Sequence, residues 1–278
     1  MAMFGKPVAN IRNDFKYDYC NIAIDHACNF ITQAQLGPAQ PIALKMAIAP
    51  DVPLQLGQLP PGVVAGPALI DFSTTAEAHL RSSIALAMLF ASHAATAQAS
   101  AMPSDNADAW LERYTANLDQ LGFARTGHAL VDSRFDQTGV AVHRAIIPFL
   151  TVALGGETLG PVLLAGLRNL SEEEANAPWI ALFDRQCRRF SAQEMHFATV
   201  SSSPTQTSIR YAIARLGAKL SGTGALFARV TRARAHFHSA TTTMTASNAL
   251  LSAIQPELQA RLENQARTFI QAAFLGHS

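Results

Sequence analysis

Two spacings of apolar residues divide the chain. From residue 74 to about 190 the apolar positions recur at helical intervals. Thr74-x-x-Glu77 has the form of a capping box, and an Ala-rich helix is expected to run from it to about Ser100. Trp110, Tyr114, Leu118 and Leu121 then stack on one helical face, with Gly122 as the natural stop. Phe123 to Phe135 alternates weakly and reads as a strand. Val140 to Leu154 reads as an apolar helix that Pro148 kinks or starts. Leu163 to Leu170 is a further short helix. Ser171-x-x-Glu174 is a second capping box, opening a helix that runs to about Arg189.

From Phe190 the period changes to two. Met195, Phe197 and Thr199 alternate with His196, Ala198 and Val200, and Ile209, Tyr211 and Ile213 alternate with Arg210, Ala212 and Ala214. A third extended run covers Ala225 to Ser239. Helical spacing returns in Leu250, Ile254, Leu258, Leu262, Ala266, Phe269 and Ala273, with Asn248 as a cap and Pro256 near the start. Residues 1–37 read as mixed helix ending at Gly37. Residues 38–72 carry Pro38, Pro41, Pro50, Pro53, Pro60, Pro61 and Pro67, which forbid a long helix and favour extended backbone packed on the core. The fold class expected is α+β. Its first two thirds are helical, and a C-terminal antiparallel meander is covered by the closing helix. One domain spans 1–278, with residues 73–278 as the α+β body.

Composition changes this picture in one respect. Of 278 residues, 49% are hydrophobic and only 15% charged, against about 25% charged in an ordinary soluble domain. Such a chain either builds a large core or offers apolar surface to a partner or lipid. The net charge of +1 gives no electrostatic basis for nucleic-acid binding. Three cysteines, Cys20, Cys28 and Cys187, point to a reducing compartment rather than a disulfide scaffold. The N-terminus has no apolar signal core, so the expected location is cytoplasmic, or exported without a classical signal peptide. The longest apolar run, Ile84 to Ala97, is shorter than the roughly 20 residues of a membrane span.

Candidate chemistry is sparse. There is no Gly-x-Ser-x-Gly, Gly-x-Gly-x-x-Gly, phosphate-loop lysine, His-Glu-x-x-His or Cys-x-x-Cys. Gly155 to Gly160 has glycines at the wrong spacing and reads as a break between helices. RARAHFHS, Arg232 to Ser239, is more informative. As a strand it sets Arg232, Arg234, His236 and His238 on one face and Ala233, Ala235 and Phe237 on the other. His236 and His238, joined by His196, could converge on a cation, but the arginines would repel it, so no metal is expected. Arg232 and Arg234 suit a carboxylate or phosphate, with a plain wet sheet face as the alternative. The cysteines read as small packing residues, and Trp110 with Tyr114 as core.

Trp110-x-x-x-Tyr114-x-x-x-Leu118-x-x-Leu121-Gly122-Phe123 also bears a family likeness. So does the later order of two strands, a Leu226-Phe227 strand, a Thr/Ser-rich turn and a closing amphipathic helix. Over residues 75–278 the chain resembles the Evf-type bacterial virulence-factor family. The resemblance implies an apolar interior that holds a fatty-acyl chain through a buried cysteine on a strand. That place falls near His196 to Ser202, where this chain has no cysteine and Ser202 takes the equivalent position. An oxygen ester, a non-covalent lipid and a plain core all stay open.

The expectation is a virulence-factor-like protein whose apolar interior binds a fatty acid or similar lipid, with Ser202, Phe197, Phe237, Trp110 and Tyr114 at the ligand. Contact with a membrane surface is a further expected partner. The alternatives are an enzyme on an acyl or other apolar substrate, with His196, His236 or His238 as base, and a membrane-active toxin inserting Ile84–Ala97 or Val140–Leu154.

Overall fold

A computed structural model describes residues 11–37, 56–74, 77–100, 107–135, 138–156, 160–190, 194–217, 219–222, 224–231 and 235–273. A seven-stranded sheet runs through the middle. Its strands are β1 (Gly62–Ala65), β2 (Ala68–Thr74), β3 (Ala124–Phe135), β4 (Glu194–Ser202), β5 (Gln206–Gly217), β8 (Ala235–Ser247) and β9 (Ile270–Ala272), and a separate short pair is formed by β6 (Leu220–Ser221) and β7 (Arg229–Val230). The order across the large sheet is β3-β8-β5-β4-β2-β1-β9. All neighbours are antiparallel except β2 and β4, which run parallel.

This corrects the expected fold class. The sheet is mixed, and it is not confined to the C-terminal third. Helices are interleaved throughout and cover both faces. On one side lie α1 (Ile11–Gln33), α2 (Ala78–Ser100), α3 (Ala107–Gln120) and α8 (Asn248–Phe269). Trp110 of α3 meets His196 on this face. On the other lie α4 (Val142–Ala145), α5 (Ile147–Ala153), α6 (Pro161–Asn169) and α7 (Pro178–Phe190). Phe149 of α5 stacks on Phe237 there, and Phe183 of α7 packs on Phe197. The closing helix α8 lies mainly against α2 and α1 rather than on the strands.

The physical reason lies in residues 62–74. Their prolines excluded helix, which is right, but Pro61 precedes β1 and Pro67 sits in the β1–β2 turn beside Gly66 at φ +57. The two apolar runs are left intact. They do not alternate because helices cover both faces, which is the habit of strands inside a three-layer fold. Val63, Val64, Leu69 and Ile70 are all buried.

Elsewhere the sequence pattern holds at some positions and fails at others. Val140 to Leu154 is split, with Pro148 in the first turn of α5. Gly122 ends α3 at φ +88 and lies against Leu250 of α8. The Ser171–Glu174 box exists, the Glu174 carboxylate accepting from the Ser171 N–H at 3.1 Å, but it opens a short 3-10 turn, and Pro178 starts α7 separately. The run from Ala225 to Ser239 is not one strand: residues 225–227 form a turn, and β8 extends through the Thr-rich stretch expected to be a turn. Thr74 ends β2 rather than capping α2, which begins at Ala78 after Glu77. Residues 38–55 lie outside the described residues.

Candidate functional site

The residues expected at a ligand fall in three separate places. Phe197 and Phe237 face the α5–α7 layer, each packed on another phenyl ring. Trp110 and Tyr114 stack on each other at 5.0 Å on the opposite side of the sheet. Ser202 lies at the end of β4, where its hydroxyl shares a hydrogen bond of 2.8 Å with Thr207. Thr207 in turn donates to Asn248 Oδ1 at 2.8 Å. Arg232 and Arg234 lie outside the described residues. His236 is half-buried, and the register puts it on the same sheet face as His196.

Trp110 and Tyr114 belong to a buried polar chain. Arg215 Nε donates to Glu194 Oε2 at 2.8 Å. Glu194 Oε1 lies 3.1 Å from His196 Nε2, and His196 Nδ1 lies 2.6 Å from the Tyr211 hydroxyl. Trp110 closes over the imidazole edge-on and Tyr114 leans on Tyr211. Burial is the dominant influence on His196 and pushes its pKa below the usual value, so the ring is neutral. Burial pushes Glu194 up, but the hydrogen bonds of His196 and Arg215 and the Arg215 charge outweigh it and keep the carboxylate ionised. A neutral ring beside a carboxylate donates from Nε2, so Nδ1 accepts from Tyr211. Both ring nitrogens are thus engaged, and their partners are a carboxylate and a phenol rather than a serine or cysteine. The chain joins β4 to β5 and locks α3 onto the sheet.

The other helical layer holds a different arrangement. A cavity of about 430 Å³ opens between α4, the start of the 3-10 turn at Glu172 and the segment leading into β7. Val140, Ala141, Leu170 and Phe227 form apolar wall; Arg144, Glu172, Arg229 and His143 supply the polar groups. The local backbone explains why His143 is there. Residues 139–143 run beside 226–230: Val142 N–H donates to Ala228 O at 2.9 Å and His143 N–H to Leu226 O at 2.9 Å. The first amides of α4 are thereby satisfied by a neighbouring chain segment instead of a capping side chain. His143 Nδ1 lies 3.0 Å from the same Leu226 carbonyl, and Phe227 tilts against the ring at 5.4 Å.

His143 is only 4% exposed. Burial lowers its pKa below the usual value, against the opposing effect of the Leu226 bond, with Arg144 adding to the lowering. The ring is neutral, its one proton sits on Nδ1 facing the carbonyl, and Nε2 carries a lone pair. Among the described residues that Nε2 has no hydrogen-bond partner. A buried acceptor left without a partner costs free energy until a donor reaches it, and His143 is among the residues that line the cavity. At the rim, Arg229 pairs with Glu172 at 2.8 Å while most of the Glu172 side chain faces solvent.

Of the cavity's polar residues only Ser171 stood out in the sequence, and as a helix cap rather than as part of a site. His143 has no second histidine or acid at a recognisable interval, and Arg229 lies in a run read as regular strand. The pairing of a histidine at a helix start with the 225–227 turn that follows Gly224 is tertiary, so no local signal marks it.

Fold and site together define a three-layer protein, helices on both faces of a mixed sheet, with an amphipathic side cavity. No family model matches the chain, and no curated protein matches it. Among the described residues no group of three or more His, Cys, Asp or Glu could hold a metal ion, and no described helix is long and apolar enough to cross a membrane.

Proposed function

We propose that the protein binds an amphipathic hydroxy acid in the His143 cavity: a ligand with an aliphatic body, a carboxylate and a hydroxyl beside it. The observation that carries this is the unpartnered Nε2 of His143. It asks for a hydrogen-bond donor, which a plain carboxylate lacks and a hydroxyl provides. Arg144 and Arg229 suit the carboxylate, and Val140, Leu170 and Phe227 suit the chain. The volume of about 430 Å³ lies within the span of small-molecule pockets. This narrows the acyl-binding expectation raised by the resemblance to the Evf-type family and moves it from the sheet to the α4 side.

Calorimetric titration with 3-hydroxyoctanoate, octanoate and 3-hydroxybutyrate tests it. The hydroxyl is worth roughly tenfold in affinity, one buried hydrogen bond satisfied. 3-Hydroxyoctanoate should therefore bind about tenfold more tightly than octanoate, and 3-hydroxybutyrate more weakly than either. His143→Phe should erase the preference for the hydroxyl while leaving octanoate bound. Absence of binding by all three acids, or an unchanged preference in His143→Phe, overturns the proposal.

A further inference from the structure

The sheet face under α5 and α6 holds a second, smaller cavity of about 110 Å³, lined by Thr199, Val200, Ser201, Ser208, Arg210 and Thr243. Strand register explains its polarity. Thr199 of β4 stands opposite Arg210 of β5, and Arg210 opposite Thr243 of β8. Two residues along, Ser201 stands opposite Ser208. Directly paired residues project to the same face at about 5 Å spacing, so four hydroxyls and one guanidinium converge on one patch.

Arg210 is tethered through Nε, which donates to the Ala153 carbonyl at the end of α5 at 3.0 Å. This leaves both terminal nitrogens for another acceptor. Among the described residues Arg210 makes no ion pair. The nearest acid in the same row, Asp71, stands beyond Thr199, and its Oδ2 accepts from the Leu163 N–H at 2.7 Å. It thereby serves the first turn of α6, which has no side-chain cap of its own. A half-buried arginine among hydroxyls, with no acid beside it among the described residues, is a donor-rich pocket with a single positive charge.

We infer that this patch is a binding site for one phosphoryl group, either inorganic phosphate or the head of a phosphate monoester. A tetrahedral oxyanion accepts the terminal guanidinium hydrogens on one side and hydroxyl hydrogens from Thr199, Ser201, Ser208 and Thr243 on the other. The cavity has room for the phosphoryl group alone, so the rest of a monoester projects outward. The site is separate from the His143 cavity and does not rest on its ligand.

Titration of the full chain with sodium phosphate, followed by amide resonances at constant ionic strength, tests the inference, with sodium chloride as reference and glycerol 3-phosphate as the monoester arm. Saturable shifts are expected at Thr199, Ser201, Ser208 and Thr243 with phosphate and not with chloride. A monoester as tight as phosphate or tighter assigns the site to an esterified head, and a weaker one assigns it to the free ion. Arg210→Met should abolish the shifts. Ser208→Ala keeps the Arg210–Ala153 tether and should weaken binding about tenfold, the contribution of one charge-assisted hydrogen bond. It decides the matter should Arg210→Met fail to fold. His143→Phe should leave phosphate binding unchanged. Equal responses to phosphate and chloride, or undiminished binding in Ser208→Ala, overturn the inference.

Discussion

Tyr211→Phe and Tyr114→Phe make the sharpest pair of perturbations available in this fold. Each deletes one hydroxyl from a fully buried ring, and the two rings lean on each other at 5.2 Å. Their hydroxyls do opposite things. Tyr211 donates to His196 Nδ1 at 2.6 Å, and its loss strands a lone pair on a ring that is 1% exposed and covered by Trp110. His196 cannot compensate by changing tautomer, because Nε2–H is held by Glu194 at 3.1 Å. An orphaned buried acceptor costs about 1–3 kcal/mol, and Tyr211→Phe should destabilise by that amount. The Tyr114 hydroxyl, by contrast, has only a weak interaction with the Tyr211 hydroxyl and no well-formed hydrogen bond. Deleting it forfeits little, so Tyr114→Phe should cost less than Tyr211→Phe.

Urea unfolding followed by far-ultraviolet circular dichroism measures both, with an unchanged slope confirming that only stability moved. Glu194→Ala belongs to the same series. It removes the acceptor for His196 and for Arg215, and breaking a buried pair from one side costs about 3–5 kcal/mol. Arg215 is 41% exposed and recovers water, which moves the value toward the lower end. Glu194→Ala and Tyr211→Phe should be non-additive by at least about 0.5 kcal/mol, since they flank one ring. A Tyr211→Phe cost no larger than that of Tyr114→Phe would refute the assignment of proton positions along the chain.

Stability should fall in acid in two stages. Burial holds His143 and His196 below their ordinary value of 6.5. The unfolded chain therefore takes up protons below pH 6.5 that the folded chain refuses, and stability declines from there downward. Glu194 is held below its ordinary 4.5, so its contribution is present above that value and is lost as pH falls through the folded-state pKa. Urea midpoints at pH 8, 7, 6, 5, 4 and 3 check this, and His143→Phe should flatten the upper stage. Gly122→Ala should cost about 1–3 kcal/mol, because φ +88 disfavours any side chain and the added methyl overlaps Leu250; thermal unfolding reads it. Phe237→Ala should cost about 3–5 kcal/mol by emptying the space against Phe149, again read by urea unfolding.

How far the sequence could be read depended on whether a signal was local. Gly122 as a helix stop, Pro148 at a helix start and the alternation in β4 and β5 are local, and each appears where expected. The strands GVVA and ALIDFST escaped because strands covered on both faces lose the alternation that marks them, and neighbouring prolines suggested loop instead. The parallel β2–β4 pair joins residues more than a hundred positions apart, which no local period encodes. The same limit applied to the sites. His196 was visible as a strand histidine, but its partners Glu194, Tyr211 and Arg215 needed the β4–β5 register. His143 needed the 226–230 segment, and Arg210 needed three strands in line.

The three polar clusters follow one physical rule with different outcomes. Around His196 every ring nitrogen and carboxylate oxygen of the Glu194–His196 pair is matched within the protein, so the cluster can orient strands but offers nothing to a ligand. Around His143 the backbone satisfies one nitrogen and leaves the other buried without a described partner, in a residue that lines the cavity. Around Arg210 the Ala153 carbonyl satisfies Nε and leaves the terminal nitrogens beside four hydroxyls. In both open clusters a main-chain carbonyl fixes the orientation of the side chain, so a ligand meets a group already aimed and bears little of the cost of ordering it. Both open clusters also lie in the α4–α7 layer, where helices are short and broken by Pro148, Gly155 and Gly160. The α1, α2, α3 and α8 layer is built from long helices and covers the β1, β2, β4 and β5 part of the sheet, while Ala124 to Leu130 of β3 stay exposed. Replacing the short-helix layer's breaks would therefore be expected to raise stability and lower binding together.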